Sequence, residues 1–274
     1  MSDRQRRERR PAKRSLGQNF LVDDRVARRI VTALGAAAGD EVLEIGPGRG
    51  ALTRHLAGAV RRLVLVELDD ALAAELSQRF QGRADVEVLH ADVLGVAVGD
   101  HVSDAARLHV VGNIPYNITT PILFKLLERP RPADVVLTVQ KEVGDRIVAL
   151  PGNRTYGALA VGVQTVADAE VLFRVGRRSF RPVPRVDSCV LRIRPRRPPP
   201  LTELEEQRLR ALVRALFQWR RKQLGKTLRD HPDLAVSPAR LDDVAAEVGF
   251  SPSDRPERLS PTDFVRLAAA LQRS

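Results

Sequence analysis

Three short segments of this chain carry groups suited to holding a polar, ribose-bearing ligand, each at the end of an apolar run. The first is Glu44-Ile45-Gly46-Pro47-Gly48-Arg49-Gly50. Glycines at a strand-to-helix turn let the backbone approach a ligand closely and aim amide groups at it. Read loosely, Gly46-x-Gly48-x-x-Ala51 fits the dinucleotide fingerprint. About 20 residues on, Val66-Glu67-Leu68-Asp69 places Glu67 where an acid can accept from a ribose diol. Nicotinamide dinucleotides and S-adenosylmethionine both carry such a ribose, so Glu67 does not choose between them. Asp92 ends the third apolar run, in position to accept from an adenine amino group. A tight turn or a helix cap would explain each residue separately. Together they stand at the carboxyl ends of successive strands, where open parallel sheets bind ligands.

The fourth run separates the two cofactors. It ends in Gly112-Asn113-Ile114-Pro115-Tyr116-Asn117, a turn for which hydride transfer has no use. Methylation of an amino group does. The exocyclic nitrogen of adenine has its lone pair delocalised into the ring and is a poor nucleophile. Hydrogen bonds from its N–H groups to the Asn113 side-chain oxygen and the Ile114 carbonyl would draw it toward tetrahedral geometry. Pro115 fixes the turn so that both acceptors converge. Tyr116 offers a π-face for a flipped base. Catalysis at such a site is mostly positioning and electrostatics.

The elements that must carry these groups follow from periodicity. Glu41–Ile45, Leu63–Leu68, Val86–Leu89, Leu108–Val111 and Val135–Val139 read as buried strands. Helical patterns fall near Ala51–Ala59, Ala71–Phe80 and Pro121–Leu127, the last with Thr119 or Thr120 as cap and Pro121 in its first turn. An earlier helix, capped by Asp23 or Asp24, runs to about Leu34. Such alternation predicts an α/β fold, a doubly wound and mostly parallel sheet with helices on both faces. From Tyr156 to about Ile193 the pattern turns strand-rich and predicts an antiparallel finish. Residues 195–200, Pro-Arg-Arg-Pro-Pro-Pro, read as a linker. Beyond it Glu203–Phe217, Leu241–Val248 and Pro261–Leu271 are helical, with Gly249 as a C-terminal cap. The expected organisation is a basic tail over 1–14, a catalytic α/β domain over 15–194, the linker, and a small all-α domain over 201–274.

The chain has 274 residues, 43% of them apolar, which supplies a core. Its 18 Gly and 18 Pro argue against disorder and a coiled coil. No apolar run is long enough for a membrane span, and none follows the basic N-terminus as a secretory signal would. A single cysteine, Cys189, points to a reducing compartment, and five scattered histidines to no metal site. The expectation is a cytoplasmic protein, off the membrane. Net charge is +11. The tail holds seven cations against two acids, and Arg174 to Arg229 holds 17 against four. Two separate basic runs point to a nucleic-acid partner, whose phosphates reward clustered Lys and Arg.

These blocks resemble the ribosomal RNA adenine N6-dimethyltransferase family. The likeness rests on Lys13–Leu21 (KRSLGQNFL), Glu44–Gly50, Asn113–Asn117, Val139–Val143 and Phe180–Ser188 (FRPVPRVDS). Gln218-Trp219-Arg220-Arg221-Lys222 and Arg255–Ser260 extend it into the helical domain. The resemblance implies a Rossmann-like methyltransferase sheet, S-adenosylmethionine as donor and two methyl groups on each target adenine. Among branches it is most similar to the bacterial small-subunit one, which modifies two adjacent adenines in a hairpin loop near the 3′ end of 16S rRNA. It implies Asn19, Leu21, Gly46, Glu67, Asp92 and Asn113 as donor contacts beside Gly48 of the glycine loop. Asn113, Ile114, Pro115 and Tyr116 would frame the adenine, and Arg220, Arg221 and Lys222 would meet RNA. The implied partner is 16S rRNA in a pre-30S particle, met by a monomer. The alternatives are the large-subunit branch that confers macrolide resistance and an rRNA-binding assembly factor. Gln223 departs from the family's usual Thr, and Trp219 is also unusual there, more in keeping with helix packing than stacking.

Overall fold

In the computed structural model, which describes residues 17–273, two compact units are present. The first comprises residues up to Gly144 together with Glu170–Pro195. Its centre is a seven-stranded sheet of β2 (Glu41–Ile45), β3 (Arg62–Glu67), β4 (Val86–His90), β5 (His109–Asn113), β6 (Asp134–Gln140), β7 (Ala167–Val175) and β9 (Ser188–Pro195), in the order β4-β3-β2-β5-β6-β9-β7. Strands β2 to β6 pair in parallel, and β9 lies antiparallel to β6 with Gln140 opposite Ser188. β2 is buried along its whole length and β6 in all but its last residue, as a sheet covered on both faces requires. The chain winds outward from β2 through β3 to β4, then returns to β5 on the other side of β2. That reversal leaves a crevice between the carboxyl ends of β2 and β5, the usual ligand position in such sheets.

Local chemistry sets the flanking helices. Asp23 caps α1 (Asp24–Leu34) by accepting from the amides of Arg25 and Val26, and Gly35 ends it at φ +67°. Ala27, Ile30 and Leu34 form its buried stripe. A short helix α2 (Thr53–Leu56) follows the glycine loop, half the expected length. Asp69 caps α3 (Asp70–Arg79), and α4 (Thr119–Leu126) follows β5. Neither Thr119 nor Thr120 caps α4. It is entered directly from the one-turn 3-10 segment Tyr116–Ile118, and the Thr119 hydroxyl bonds back to the Pro115 carbonyl.

The second unit comprises Asp145–Ala169 with Arg196–Ser274. The division passes through α5 (Lys141–Ile147) and β7. Along the chain the expected boundary near 195 matches one edge of this unit. The segment 145–169, expected within the α/β domain, instead belongs to the helical core. Its Ala158–Gln164 is a helix, α6, not the strand expected there. Ala160 and Val161 pack among Leu209, Leu212 and Phe264, from α7 (Glu203–Gln218) and α10 (Pro261–Ala270). The Tyr156 hydroxyl donates to the Leu259 carbonyl at 2.9 Å. Helix α8 (Leu224–Asp230) was not expected from periodicity, and α9 (Pro238–Val248) ends at Gly249, φ +87°. Capping boxes start α7 and α10, Thr202 with Glu205 and Ser260 with Asp263. The tail 1–14, with Ser15 and Leu16, lies outside the described residues.

Candidate active site

The crevice is a cleft of about 160 Å³. Asn19, Leu21, Gly46, Gly48, Glu67, Asp92, Asn113, Ile114, Pro115 and Tyr116 all line it. Residues spread over nearly one hundred positions therefore meet at the carboxyl ends of the central strands.

Two glycines make the convergence possible. A Cβ on Gly112 would lie 2.8 Å from the Ile45 carbonyl oxygen, so only glycine lets β5 end this close to β2. Gly48, at φ +56°, would push a Cβ to 3.1 Å from the Phe20 ring. That ring also carries the Arg49 guanidinium, 4.4 Å from its centroid. Residues 17–21 thus border the glycine loop, and two further bonds hold them there. Phe20 and Leu21 form a strand, β1, that pairs antiparallel with β8, Phe180–Arg181. Gln18 Nε2 donates to Asp69 Oδ2 at 3.3 Å. The first and the Phe180–Ser188 motif blocks are thereby two strands of one ribbon. Leu21 sends its side chain into the core below the cleft.

Glu67 is buried and accepts from the Gly48 amide through Oε2 and the Asp69 amide through Oε1, both at 2.9 Å. Burial raises its carboxyl above the ordinary range, while those two amides pull the other way. Each oxygen keeps a lone pair for a ribose hydroxyl. Asp92 accepts from the Leu94 amide through Oδ1 and stands exposed at the rim. Glu44, which sequence reasoning passed over as part of the loop, is fully buried on the cleft floor. Desolvation raises its carboxyl to about 8, and the Thr53 hydroxyl donates to it at 2.8 Å. Near neutral pH the floor therefore holds a neutral acid beside Glu67.

On the opposite wall, Asn113 Nδ2 donates to the Asn19 carbonyl at 2.8 Å. The Tyr116 phenol and the buried Ser188 hydroxyl are 2.5 Å apart. Burial raises the Tyr116 phenol, so it stays protonated. Ser188 was visible only as the last residue of a motif, and nothing in the sequence pairs it with Tyr116.

In the second unit, Arg221 and Lys222 are exposed, whereas Arg220 pairs with Glu257 at 2.8 Å and donates to the Arg154 carbonyl at 2.7 Å. Trp219 packs on the His231 ring, centroids 5.1 Å apart. Among the described residues no group of three metal-ligating side chains comes together, and no helix is long and apolar enough to cross a membrane.

The family model for ribosomal RNA adenine dimethylase matches residues 9–247. The chain is 42% identical to the ribosomal RNA small subunit methyltransferase A of Geobacter metallireducens, covering 95% of each chain. It is likewise 42% identical to that of Pseudomonas aeruginosa, covering 95% of this chain and 94% of the relative. Among solved structures it resembles a dimethyladenosine transferase from Plasmodium falciparum, with TM-score 0.74, 25% identity, and coverage of 90% and 95%. The 23S rRNA methyltransferase ErmE aligns with TM-score 0.70 and 28% identity, covering 93% of this chain and all of that one.

Proposed function

The chain belongs to the ribosomal RNA adenine dimethylase family, and from that premise we propose that its cleft holds S-adenosylmethionine against Glu67 and presents Asn113–Tyr116 to an adenine of 16S rRNA. The protein is an rRNA adenine N6-dimethyltransferase of the small-subunit type. The product is N6,N6-dimethyladenosine at two adjacent adenines of a hairpin loop near the RNA's 3′ end. The site fits the donor on its own chemistry: a doubly anchored carboxylate with free lone pairs, an exposed acceptor at Asp92, and a loop whose Gly46, Gly48 and Gly50 all stand at positive φ. When bound, S-adenosylmethionine supplies an electrophilic methyl group on sulfur.

The residues of the chain do the rest. Glu67 binds and orients the ribose; Asp92 accepts from the donor's adenine; the glycine loop and residues 17–21 enclose it. Tyr116 stacks on the base that has left the RNA loop. Asn113 carries the reading, because its amide end is bonded to the Asn19 carbonyl. Its oxygen is then the end left for the N6 hydrogens, with the Ile114 carbonyl as second acceptor. Acceptors placed for a tetrahedral nitrogen favour the transition state over the planar ground state.

The higher identity to small-subunit enzymes than to the large-subunit ErmE favours 16S rRNA over the large-subunit alternative. The same reading has the protein act in the cytoplasm as a monomer on a pre-30S particle. Primer extension across both rRNAs tests it. Adjacent stops confined to the 3′ region of the small-subunit RNA are expected, and a stop in the large-subunit RNA would contradict the assignment.

A further inference from the structure

Four side-chain amides line the cleft, those of Gln18, Asn19, Asn113 and Asn117. Three of them have their nitrogen end spent inside the protein. Gln18 Nε2 donates to Asp69 at 3.3 Å, Asn19 Nδ2 to the Gly17 carbonyl at 3.2 Å and Asn113 Nδ2 to the Asn19 carbonyl at 2.8 Å. The Tyr116 hydroxyl beside them is taken by Ser188. Asn117 is the exception. It is exposed on the cleft wall, one residue past Tyr116 in the 3-10 turn Tyr116–Ile118, and its amide has no hydrogen-bond partner among the described residues. Packing nevertheless fixes which end of that amide is available. Gly17 stands at φ +62°, and a Cβ there would lie 2.7 Å from Asn117 Oδ1 and 3.6 Å from the Pro115 Cβ. Only glycine lets residues 17–21 come this close to the turn after β5. The oxygen end of Asn117 therefore rests against Gly17, and Nδ2 is the end left for a ligand.

The cradle of Asn113–Tyr116 offers the edge of a base acceptors only. The Asn113 oxygen and the Ile114 carbonyl can take two amine hydrogens, and any base with an exocyclic amine would satisfy them, cytosine included. Adenine differs in what flanks that amine, because it carries a ring acceptor on each side, N1 and N7. A base withdrawn from its loop is read by hydrogen bonds along such an edge, so the missing element is a donor. We propose that Asn117 is that donor. Its Nδ2 bonds a ring nitrogen beside the C6 amine, which makes Asn117 a specificity-determining residue for the target base, and Gly17 holds the amide in place. The inference rests on the adenine-methylating reading above and adds the reader that its cradle lacks.

Single-turnover methylation by the full chain decides it. The substrates are small-subunit particles reconstituted with a ligated 3′ RNA segment that carries adenosine, 7-deazaadenosine or 1-deazaadenosine at both target positions. Affinity for S-adenosylmethionine serves as a control for folding. Removing a ring nitrogen also alters the reactivity of the amine, but equally for every variant, so the ratio of adenosine to analogue rates is compared between enzymes. For one analogue that ratio should fall about tenfold from wild type to Asn117→Ala, the scale of a donor left unpaired, and the analogue that responds tells N1 from N7. On adenosine itself Asn117→Ala should be slower by about tenfold. Asn117→Asp sets an acceptor against the ring nitrogen and should be slower still, at unchanged donor affinity. Analogue ratios that Asn117→Ala leaves unchanged, or wild-type rates on adenosine in Asn117→Asp, would overturn the proposal. Wild-type chain that left the adenosine particles unmethylated would instead overturn the function on which it rests.

Discussion

Asn113 Nδ2 lies 2.8 Å from the backbone oxygen of Asn19, so the amino end of that side chain is committed inside the protein. The bond spans 94 positions of sequence and ties residues 17–21 to the proposed adenine cradle. Asn113→Asp has no proton to give the Asn19 carbonyl and sets a charge against it. Single-turnover methylation should slow by at least about 100-fold, the scale of losing one oriented transition-state hydrogen bond. RNA affinity should stay within about twofold, because it comes from phosphate contacts. Quench-flow kinetics beside a binding titration separates the two effects.

Tyr116 is held by its edge. With its hydroxyl 2.5 Å from Ser188 Oγ, the ring keeps one face for a base. Tyr116→Ala removes a stacking surface worth about 1–3 kcal/mol and should slow methylation at least about tenfold. Tyr116→Phe keeps the face and should retain most activity, and Ser188→Ala should match it. A second methylation requires the monomethylated base to return with its remaining N–H aimed at an acceptor. A weakened cradle should therefore release more monomethyladenosine, read by mass spectrometry. Equal inactivity of Tyr116→Phe and Tyr116→Ala would move the chemistry onto the hydroxyl.

Glu67 ties the end of β3 to the glycine loop, since one carboxylate accepts the Gly48 and Asp69 amides. Glu67→Ala should weaken S-adenosylmethionine by about 1.5–3 kcal/mol, the range for a charge-assisted bond. Calorimetry showing wild-type affinity would remove Glu67 from the donor site.

Glu44 gives stability a pH signature. Burial pushes its carboxyl in the folded protein up to about 8, from an ordinary value near 4.5. The folded state therefore holds a proton that the unfolded state has lost across that window. Glu44 contributes its full stability below about pH 4.5 and loses it as pH rises through about 8. Glu44→Gln is neutral at every pH and can still accept from Thr53. Denaturant unfolding should show the variant overtaking wild type as pH rises from 6 to 9, by a few kcal/mol at most. Parallel pH profiles would show that Glu44 stays ionised in the folded protein.

Much of this architecture is legible in the residues themselves. Glu41–Ile45 is a strand to the residue, because an apolar run ending at a glycine turn has few other solutions. The cleft residues were legible for the same reason, being tied to strand ends. What escaped depends on partners distant in sequence. Ala158–Gln164 carries Val161 and Val163, which favour strands, yet burial in the helical core makes it a helix. Arg220, Arg221 and Lys222 look alike until Glu257, 37 positions on, takes the first of them. Ser188 and the Asn19 carbonyl hold Tyr116 and Asn113 through bonds that leave no periodic trace.

In the proposed reaction the cradle from Asn113 to Tyr116 presents adenine N6 of small-subunit RNA for dimethylation. The direct measurement is mass spectrometry of RNA digested after reaction of unmodified small-subunit particles with the enzyme and S-adenosylmethionine. Wild-type chain should give N6,N6-dimethyladenosine at two adjacent adenines near the 3′ end, and Asn113→Ala almost none. Methyl groups on another atom or another RNA, or equal product from Asn113→Ala, would contradict it.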